Sequence, residues 1–228
     1  MNKFLKIVSI LTLFGATTYT GEVRNTNIVS SELFNVYVID TDEMDFAVSE
    51  TKPKDADFYI NSNFFTTDAD PIGLVVINRK RKSRRVDGGG YFYVNNGKPY
   101  VSSKKCPYVT DYASQTILWG IDNGVVNEQL LKKSHAKLKR YRTLMGVDKE
   151  GNIVVISSNR IGLVTIKELI EFSENYNLVD GILLDGGTSV DYKFTDEYGT
   201  TEFRSVPMGL KGPLSIDEPT TYIYGNFK

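Results

Sequence analysis

The sequence predicts an α+β fold, with a β-rich, mixed and largely antiparallel sheet core and a few packed helices in a single domain. Short apolar segments of alternating pattern, separated by turn residues, recur along the chain. The aromatic content of 14 Tyr and 12 Phe residues favours strands. A convincing helical stripe with a capping signal occurs in one segment. At 228 residues, the chain has the length of one domain and can bury a substantial core.

Strands are expected in a regular order, each bounded by turn residues. They are 33–39, 56–60 and 71–77, followed by three hairpins that pair 90–94 with 99–101, 116–121 with 125–126, and 141–147 with 153–157. Asn-Gly turns close the first two hairpins, and these are strong hairpin signals.

One helix is predicted to begin at Thr165. Thr165 and Glu168 have capping-box spacing, and the apolar residues that follow recur at helical spacing as far as Tyr176. Asn177 ends this helix and leads into the strand before Asp185. The polar, basic region 132–140 reads as a loop or a short helix.

The N-terminus has the pattern of a secretory signal peptide. Two lysines precede an apolar stretch at 7–16, and small residues follow it. We therefore expect a signal peptide at 1–21 and a mature domain at 22–228, secreted or periplasmic, with no stable membrane span after cleavage. An N-terminal strand or helix is the alternative. The Lys-, Asn- and Ile-rich composition suits an AT-rich bacterium or a virus that infects one.

Composition excludes several classes of function. The formal net charge of −1 provides no global field to attract nucleic acid or an anionic membrane. A single cysteine, Cys106, cannot form an internal disulfide. It lies in a basic context that could lower its pKa, but no nucleophile signature surrounds it, so a structural role is expected. A single histidine, His135, excludes multi-histidine metal sites. No cofactor requirement is visible, although an oxygen-ligated divalent cation fits the composition.

The segment 182–189 carries the most chemistry. An apolar run ends at Asp185, and Gly186, Gly187, Thr188 and Ser189 follow at once. A carboxylate at a strand end is accessible to ligands, and glycine amides can form an anion-binding nest. These features suit a substrate that carries a phosphate and a sugar. A tight structural turn is the alternative interpretation.

Two other strand boundaries carry polar side chains that could complete such a site. After the strand at 56–60, Asn61 and Asn63 could bond sugar hydroxyls and Phe65 could stack on a sugar ring. A strand end with a turn explains the same residues equally well. At the other boundary, Arg142 could capture a phosphate, whereas Arg140 reads as a solvated residue.

The run Arg79–Arg85 contains six basic residues in seven positions. Such a run can bind nucleic acid or another polyanion. It lies between two predicted strands, without interleaved aromatic residues or a basic excess elsewhere. A solvated hairpin loop is therefore the preferred interpretation, and no nucleic-acid partner is expected.

Taken together, these segments resemble the phosphodiester glycosidase family. The matching segments follow the family order from about residue 34 to the C-terminus: Asn61 to Phe65, Pro71 to Leu74, Gln115 to Gly120, Arg142 to Gly146, the Thr165 helix, Leu184 to Ser189, and Arg204 to Pro207. The sequence departs from the family pattern at Ser62-Asn63, where small residues are usual, and at 117–119, where Gly-Pro is frequent.

The resemblance implies an exported, exopolysaccharide-related hydrolase that cleaves a sugar-1-phosphodiester of the N-acetylglucosamine-1-phosphate type. It would release a free sugar and a phosphomonoester from a sugar-phosphodiester or cell-envelope glycan. The alternative is a non-catalytic module that binds a cell-envelope glycan in the same cleft. A nucleotide- or polyanion-binding protein that uses the run at 79–85 is a third interpretation.

The resemblance also implies roles for individual residues. Asp185 and Arg142 are the candidate catalytic residues, with Asp185 as nucleophile, base or electrostatic stabiliser. The candidate substrate-binding residues are Asn61, Asn63, Phe65, Thr143, Gly186, Gly187, Ser189 and Arg204. Asp191 and Glu202 are candidates for a second carboxylate.

Overall fold

A computed structural model describes residues 27–205 and 219–228. The predicted signal peptide at 1–21 and the last two residues of the segment Arg204 to Pro207 lie outside these ranges. The strands are β1 (Asn27–Ser30), β2 (Phe34–Ile39), β3 (Met44–Ser49), β4 (Phe58–Asn61), β5 (Phe64–Phe65), β6 (Pro71–Ile72), β7 (Val75–Ile77), β8 (Lys80–Arg81), β9 (Gly90–Asn95), β10 (Lys98–Ser102), β11 (Tyr112–Thr116), β12 (Leu118–Asp122), β13 (Val125–Val126), β14 (Thr143–Val147), β15 (Ile153–Ser158), β16 (Asp180–Leu183), β17 (Asp191–Asp196), β18 (Gly199–Arg204) and β19 (Tyr222–Phe227). The helices are α1 (Glu128–Leu131) and α2 (Ile166–Ser173), with 3₁₀ turns at Ser134–Lys137, Glu174–Tyr176 and Gly187–Ser189.

The strands form three main sheets and one two-stranded ribbon, β5-β6. The seven-stranded sheet has the order β1-β2-β15-β14-β16-β12-β13. A five-stranded sheet with the order β18-β17-β4-β19-β3, called here the β4 sheet, and another with the order β10-β9-β11-β7-β8, called the β9 sheet, complete the set. Every strand pair within the described ranges is antiparallel. The β-rich, largely antiparallel prediction is confirmed, and the parallel component implied by a mixed sheet is absent from these ranges.

The predicted hairpins are confirmed, with small shifts at their ends. Asn96 and Gly97 have φ values of 51° and 73°, and Asn123 and Gly124 have 48° and 74°. Positive φ at both central residues defines the tight turn that Asn-Gly favours. The strand predicted at 71–77 is divided into β6 and β7, because Gly73 adopts a φ of 110°. The region 132–140, expected to be a loop or a short helix, contains the 3₁₀ turn Ser134–Lys137.

The main core lies between the inner faces of the three sheets. It contains Tyr37, Phe58 and Phe194, whose rings pack against one another with centroids 4.9–5.8 Å apart. Tyr192 extends this aromatic column, because its ring stacks on Phe194 at 4.4 Å. Aromatic pairs at such separations add to the stability gained from burying their area.

Helix α2 covers the opposite face of the seven-stranded sheet. Side chains of a strand alternate between its two faces, so that Leu144 points to α2 while Met145 points to the main core. The predicted capping box is present: Thr165 Oγ1 accepts a bond from Glu168 N at 3.1 Å, and Glu168 Oε2 accepts one from Thr165 N at 2.7 Å. Packing of α2 fixes the path of the chain into β16, which ends just before Asp185.

Cys106 lies under the outer face of the β9 sheet, packed with Leu74, Val76 and Ala113. Burial raises the pKa of the Cys106 thiol to about 11, and the smaller effect of Arg85 opposes this shift. The sequence suggested that basic neighbours could lower the pKa of Cys106. Burial has the larger effect, and the pKa is raised. The expected structural role stands.

We predict that a thiol reagent modifies native Cys106 on the order of 100-fold more slowly at about pH 8 than the same protein unfolded in guanidinium chloride, because the thiolate is the reactive form. Absorbance of the released chromophore measures both rates. Equal rates in the native and unfolded protein would contradict the buried position of the thiol.

Candidate active site

The backbone around Asp185 is fixed by hydrogen bonds from two sheets. Leu184 N donates to Thr143 O at 3.1 Å within the seven-stranded sheet, and Asp185 N donates to Ser62 O at 3.0 Å, just beyond β4. Asp185 therefore lies at the seam between the seven-stranded sheet and the β4 sheet. Only 9% of the residue is exposed, so its carboxylate occupies a largely water-excluded position. In such a position electrostatic interactions are stronger than in water.

The two glycines after Asp185 are required by the geometry of the turn. Gly187 has a φ of 67°, in the left-handed region, and its N–H donates to Tyr141 O at 2.8 Å. A Cβ on Gly186 would lie 2.7 Å from Tyr141 O, which is too close for any other residue. The N–H of Gly187 is thus used inside the protein, which leaves Gly186 as the glycine amide that could face a ligand in the predicted nest.

Asn61 binds both ends of the segment 185–191. Its Nδ2 donates to Asp185 O at 2.9 Å, and its Oδ1 accepts from Asp191 N at 3.0 Å. The residue is fully buried. Both functional groups of this amide are therefore occupied by backbone, and Asn61 holds the Asp185 turn against the end of β4.

Asn63 is the centre of a second buried polar network. Its Nδ2 donates to Gln115 O at 2.6 Å, and its Oδ1 accepts from Thr221 Oγ1 at 3.0 Å and from Ser114 Oγ. Ser62 Oγ joins the network through Thr221 and Ser114. These bonds connect the β4 sheet to the β9 sheet, and they also occupy the amide that was predicted to bind sugar.

Arg142 lies beside the turn and is half-buried. Its Nη2 donates to His135 O at 2.8 Å and to Leu138 O at 3.0 Å. Its buried Nε has no hydrogen-bond partner among the described residues. Burial, followed by the positive charge of nearby Arg140, lowers the pKa of Arg142 to about 10. The guanidinium remains charged at neutral pH, and a bound anion would satisfy the unpaired donor.

Arg140, which the sequence interpretation set aside as solvated, extends over the turn. A Cβ on Gly187 would lie 3.7 Å from Arg140 Nη1. The backbone of Arg140 is fixed by a two-way bridge to Val164, with N–O distances of 3.0 and 2.9 Å. Arg140 and Arg142 are two residues apart, the spacing that puts side chains on one face of an extended segment. That spacing is the sequence signal that could have identified Arg140.

The two candidates for a second carboxylate share one lysine. Lys52 Nζ lies 2.9 Å from Asp191 Oδ1 and 3.6 Å from Glu202 Oε1. Asp191 is fully buried and also accepts from the Tyr222 hydroxyl at 3.1 Å. Glu202 is exposed, and a hydrogen bond from the Tyr59 hydroxyl at 2.5 Å lowers its pKa. A lowered pKa keeps Glu202 ionised, which suits a base or an electrostatic role better than a general acid.

The other predicted site residues fall into two groups. Thr143 and Ser189 are buried, and Thr143 Oγ1 lies 2.9 Å from Ser157 Oγ. Phe65 is half-buried in β5, and Arg204 is exposed at the end of β18, opposite Asp191 in the ladder. Thr143 O accepts from Leu184 N, Ser189 lies in the turn that follows Asp185, and Arg204 lies opposite Asp191. Phe65 belongs to the separate β5-β6 ribbon.

Two features are absent from the described residues, a cluster of metal ligands and a membrane-spanning helix. No group of three or more His, Cys, Asp or Glu side chains in residues 27–205 and 219–228 is arranged to hold a metal ion. No helix in the same ranges has the length and apolar character needed to cross a membrane.

The chain is thus a β-rich protein with a buried carboxylate, Asp185, between the seven-stranded sheet and the β4 sheet. The phosphodiester glycosidase family matches residues 54–210, more than half of the chain. The chain belongs to this family, so the resemblance inferred from sequence is confirmed.

Solved structures of other proteins share the fold. The catalytic domain of zebrafish N-acetylglucosamine-1-phosphodiester α-N-acetylglucosaminidase, auto-inhibited by its pro-peptide, has a TM-score of 0.63 at 13% identity, covering 88% of this chain and 81% of that chain. A hypothetical protein from Synechocystis has a TM-score of 0.64 at 12% identity, covering 89% of this chain and 61% of that chain. No curated protein sequence matches this chain. At these identities the likeness is one of fold.

We predict that Asn61→Ala lowers the free energy of unfolding by about 2–5 kcal/mol, because it leaves Asp185 O and Asp191 N buried without a partner. Urea denaturation measures the change. Asn226→Ala is the matched control, since Asn226 is exposed and its side chain accepts one bond, from Asp57 N at 3.2 Å. Equal losses in the two variants would contradict the role given to Asn61.

Proposed function

We propose that this protein is an exported glycosidase that hydrolyses a sugar-1-phosphodiester of the N-acetylglucosamine-1-phosphate type. The products would be a free sugar and a phosphomonoester. One observation carries the proposal: a largely buried carboxylate, Asp185, lies in a rigid glycine turn beside two arginines whose charges repel one another. Membership in the phosphodiester glycosidase family supports a hydrolase that acts on a glycan.

The repulsion between Arg140 and Arg142 favours an anion at the turn. Holding two cations together in a partly buried place is unfavourable unless a negative charge compensates them. A phosphodiester, and the phosphomonoester that leaves, would provide that charge. The unpaired Nε of Arg142 could then donate to a phosphate oxygen, because arginine matches phosphate geometry well.

Asp185 would act on the sugar side of the scissile bond. Breaking the bond between C1 and the phosphate oxygen builds positive charge on the sugar ring, and a nearby carboxylate stabilises or attacks that centre. Water supplies the new hydroxyl at C1, and its proton passes to a base. Asp185 can serve as nucleophile, base or electrostatic stabiliser in this scheme. A phosphate ester is a good leaving group, so charge neutralisation by arginine matters more than a strong general acid.

The amides of Asn61 and Asn63 would contribute to this reaction by positioning. Both are buried and bonded to protein groups, so we assign Asn61 to holding the turn and Asn63 to holding the β4 sheet against the β9 sheet. We assign Ser189 and the Gly186 amide the role of orienting Asp185 or the phosphate. Arg204, Phe65 and Thr143 remain proposed substrate contacts or supports.

A second carboxylate would come from the cluster around Lys52. Asn61 connects the backbone of Asp191 to that of Asp185, so Asp191 is the candidate with a direct structural link. Glu202 is more exposed and would reach substrate from solvent. Both carboxylates lie near the ammonium of Lys52, at 2.9 Å for Asp191 and 3.6 Å for Glu202.

We expect Asp185→Asn to reduce hydrolysis of a sugar-1-phosphodiester by about 100- to 10,000-fold while leaving the melting temperature nearly unchanged, because the amide keeps the shape but loses the charge. Asp55→Asn, at an exposed loop position, is the control.

Released sugar measures turnover in a screen across sugar-1-phosphodiesters and nucleotide sugars, with and without a chelator to test for a divalent cation. Wild-type turnover in Asp185→Asn would remove Asp185 from the chemistry, and glycan binding without turnover in the native protein would favour the non-catalytic binding module.

The two arginines should be separable by experiment. Arg140→Ala is expected to lower kcat/KM by about 100-fold with little change in stability, since its side chain is exposed and loses only the interaction with phosphate.

Arg142→Ala should lower activity as well, and should also cost about 1–3 kcal/mol of stability because His135 O and Leu138 O lose their donor. Arg160→Ala, another exposed arginine, is the control. Normal kinetics in both variants would place the phosphate elsewhere.

A further inference from the structure

A surface cleft on the outer face of the β9 sheet collects three arginines. Its volume is about 240 Å³, and Arg79, Arg81 and Arg85 line it together with Leu74, Val76 and Tyr108. None of its nine lining residues is acidic. None belongs to the Asp185 turn either, so this arginine cleft is distinct from the proposed catalytic site.

The positive charge of the cleft is only partly neutralised. Arg79 Nε forms an ion pair with Asp111 Oδ1 at 2.8 Å. In contrast, Arg81 Nε donates to Ser83 O at 2.8 Å and Arg85 Nη2 donates to Cys106 O at 2.9 Å. Carbonyl partners position these two guanidinium groups without cancelling their charge. Each has five N–H donors, so donors remain for an anion.

An exposed aromatic ring stands at the same cleft. Tyr108 is 98% exposed, and the guanidinium of Arg85 lies between two rings, 5.4 Å from the centroid of Tyr91 and 5.5 Å from that of Tyr108. Arginine over an aromatic face is a favourable cation–π arrangement. The Tyr108 ring therefore lies beside the charges and is exposed, so that a face of the ring can pack against the apolar face of a sugar.

We propose that the arginine cleft binds an anionic polysaccharide, accommodating one charged sugar unit of the chain at a time. The volume suits a single sugar with its anionic group. Arg81 and Arg85, whose side chains donate to carbonyls, match the anionic group, and the Tyr108 ring matches the sugar. Nucleic acid is a weaker fit, because affinity for it comes from neutralising many phosphates, and the cleft has three arginines, one of which is already paired with Asp111. The cleft would anchor a polymer independently of its hydrolysis.

Calorimetric titration with a short phosphorylated dextran tests the proposal. Unmodified dextran and a single-stranded oligonucleotide of equal charge are the comparison ligands. We expect Arg81→Gln to weaken binding of phosphorylated dextran about tenfold, the loss typical of one charge-assisted hydrogen bond. The Arg81→Gln/Arg85→Gln variant should lose measurable binding, and Tyr108→Ala should weaken binding several-fold. Binding by the native protein should weaken as salt rises from about 50 to about 200 mM.

The control variant Lys132→Gln/Lys137→Gln removes the same charge from an exposed region outside the cleft and should bind like the native protein. Asp185→Asn should also bind normally, so failure of the proposed hydrolysis would leave this result intact. A thermal melt checks the folding of each variant. If the double variant does not fold, the single variant Arg81→Gln still tests the proposal, because Arg81 is exposed. No binding by the native protein, equal losses in the control, or tighter binding of the oligonucleotide would overturn the proposal.

Discussion

The two hydrogen bonds of the Asn61 amide reinforce, from a side chain, a seam that the backbone bond from Asp185 N to Ser62 O also crosses. Asn61 ends β4, while Asp185 and Asp191 bracket the turn that leaves the seven-stranded sheet and enters the β4 sheet through β17. A buried amide bonded at both ends is specific in a way that apolar packing is not, because a displaced partner leaves unsatisfied polar groups. The Asn61 amide acts as a clamp on the carboxylate turn, together with the backbone bonds from Asp185 N to Ser62 O and from Gly187 N to Tyr141 O.

Local patterns in the sequence were sufficient for the order of the hairpins, the capped helix α2 and the strand end at Asp185. Asn-Gly turns and the Thr165–Glu168 pair specify their own geometry within a few residues, so no tertiary information is needed to identify them. Strand β3 and the C-terminal strands β17 to β19 were not anticipated. Their residues form strands because sheet partners distant in sequence complete the ladders, and a single sequence does not reveal those partners.

The residue types of the site could be predicted from the sequence, but the orientations of their side chains could not. The sequence placed Asn61, Arg142 and Asp185 at strand ends, and all three lie at one seam. It could not tell that the Asn61 amide faces backbone, or that Arg142 reaches the carbonyls of His135 and Leu138 while Arg140 extends over Gly187. These directions are set by tertiary packing. Lys52, which unites Asp191 and Glu202, carries no local signal at all.

The Asn61 clamp connects positions that are 124 and 130 residues apart in the chain. Such contacts can form only after most of the polypeptide has been made and long loops have been closed, which slows folding in proteins dominated by non-local pairing. The carboxylate turn therefore has no counterpart in a partly folded chain. The candidate site is therefore assembled only when the last sheets dock, and a nascent or partially unfolded copy of the chain would lack it.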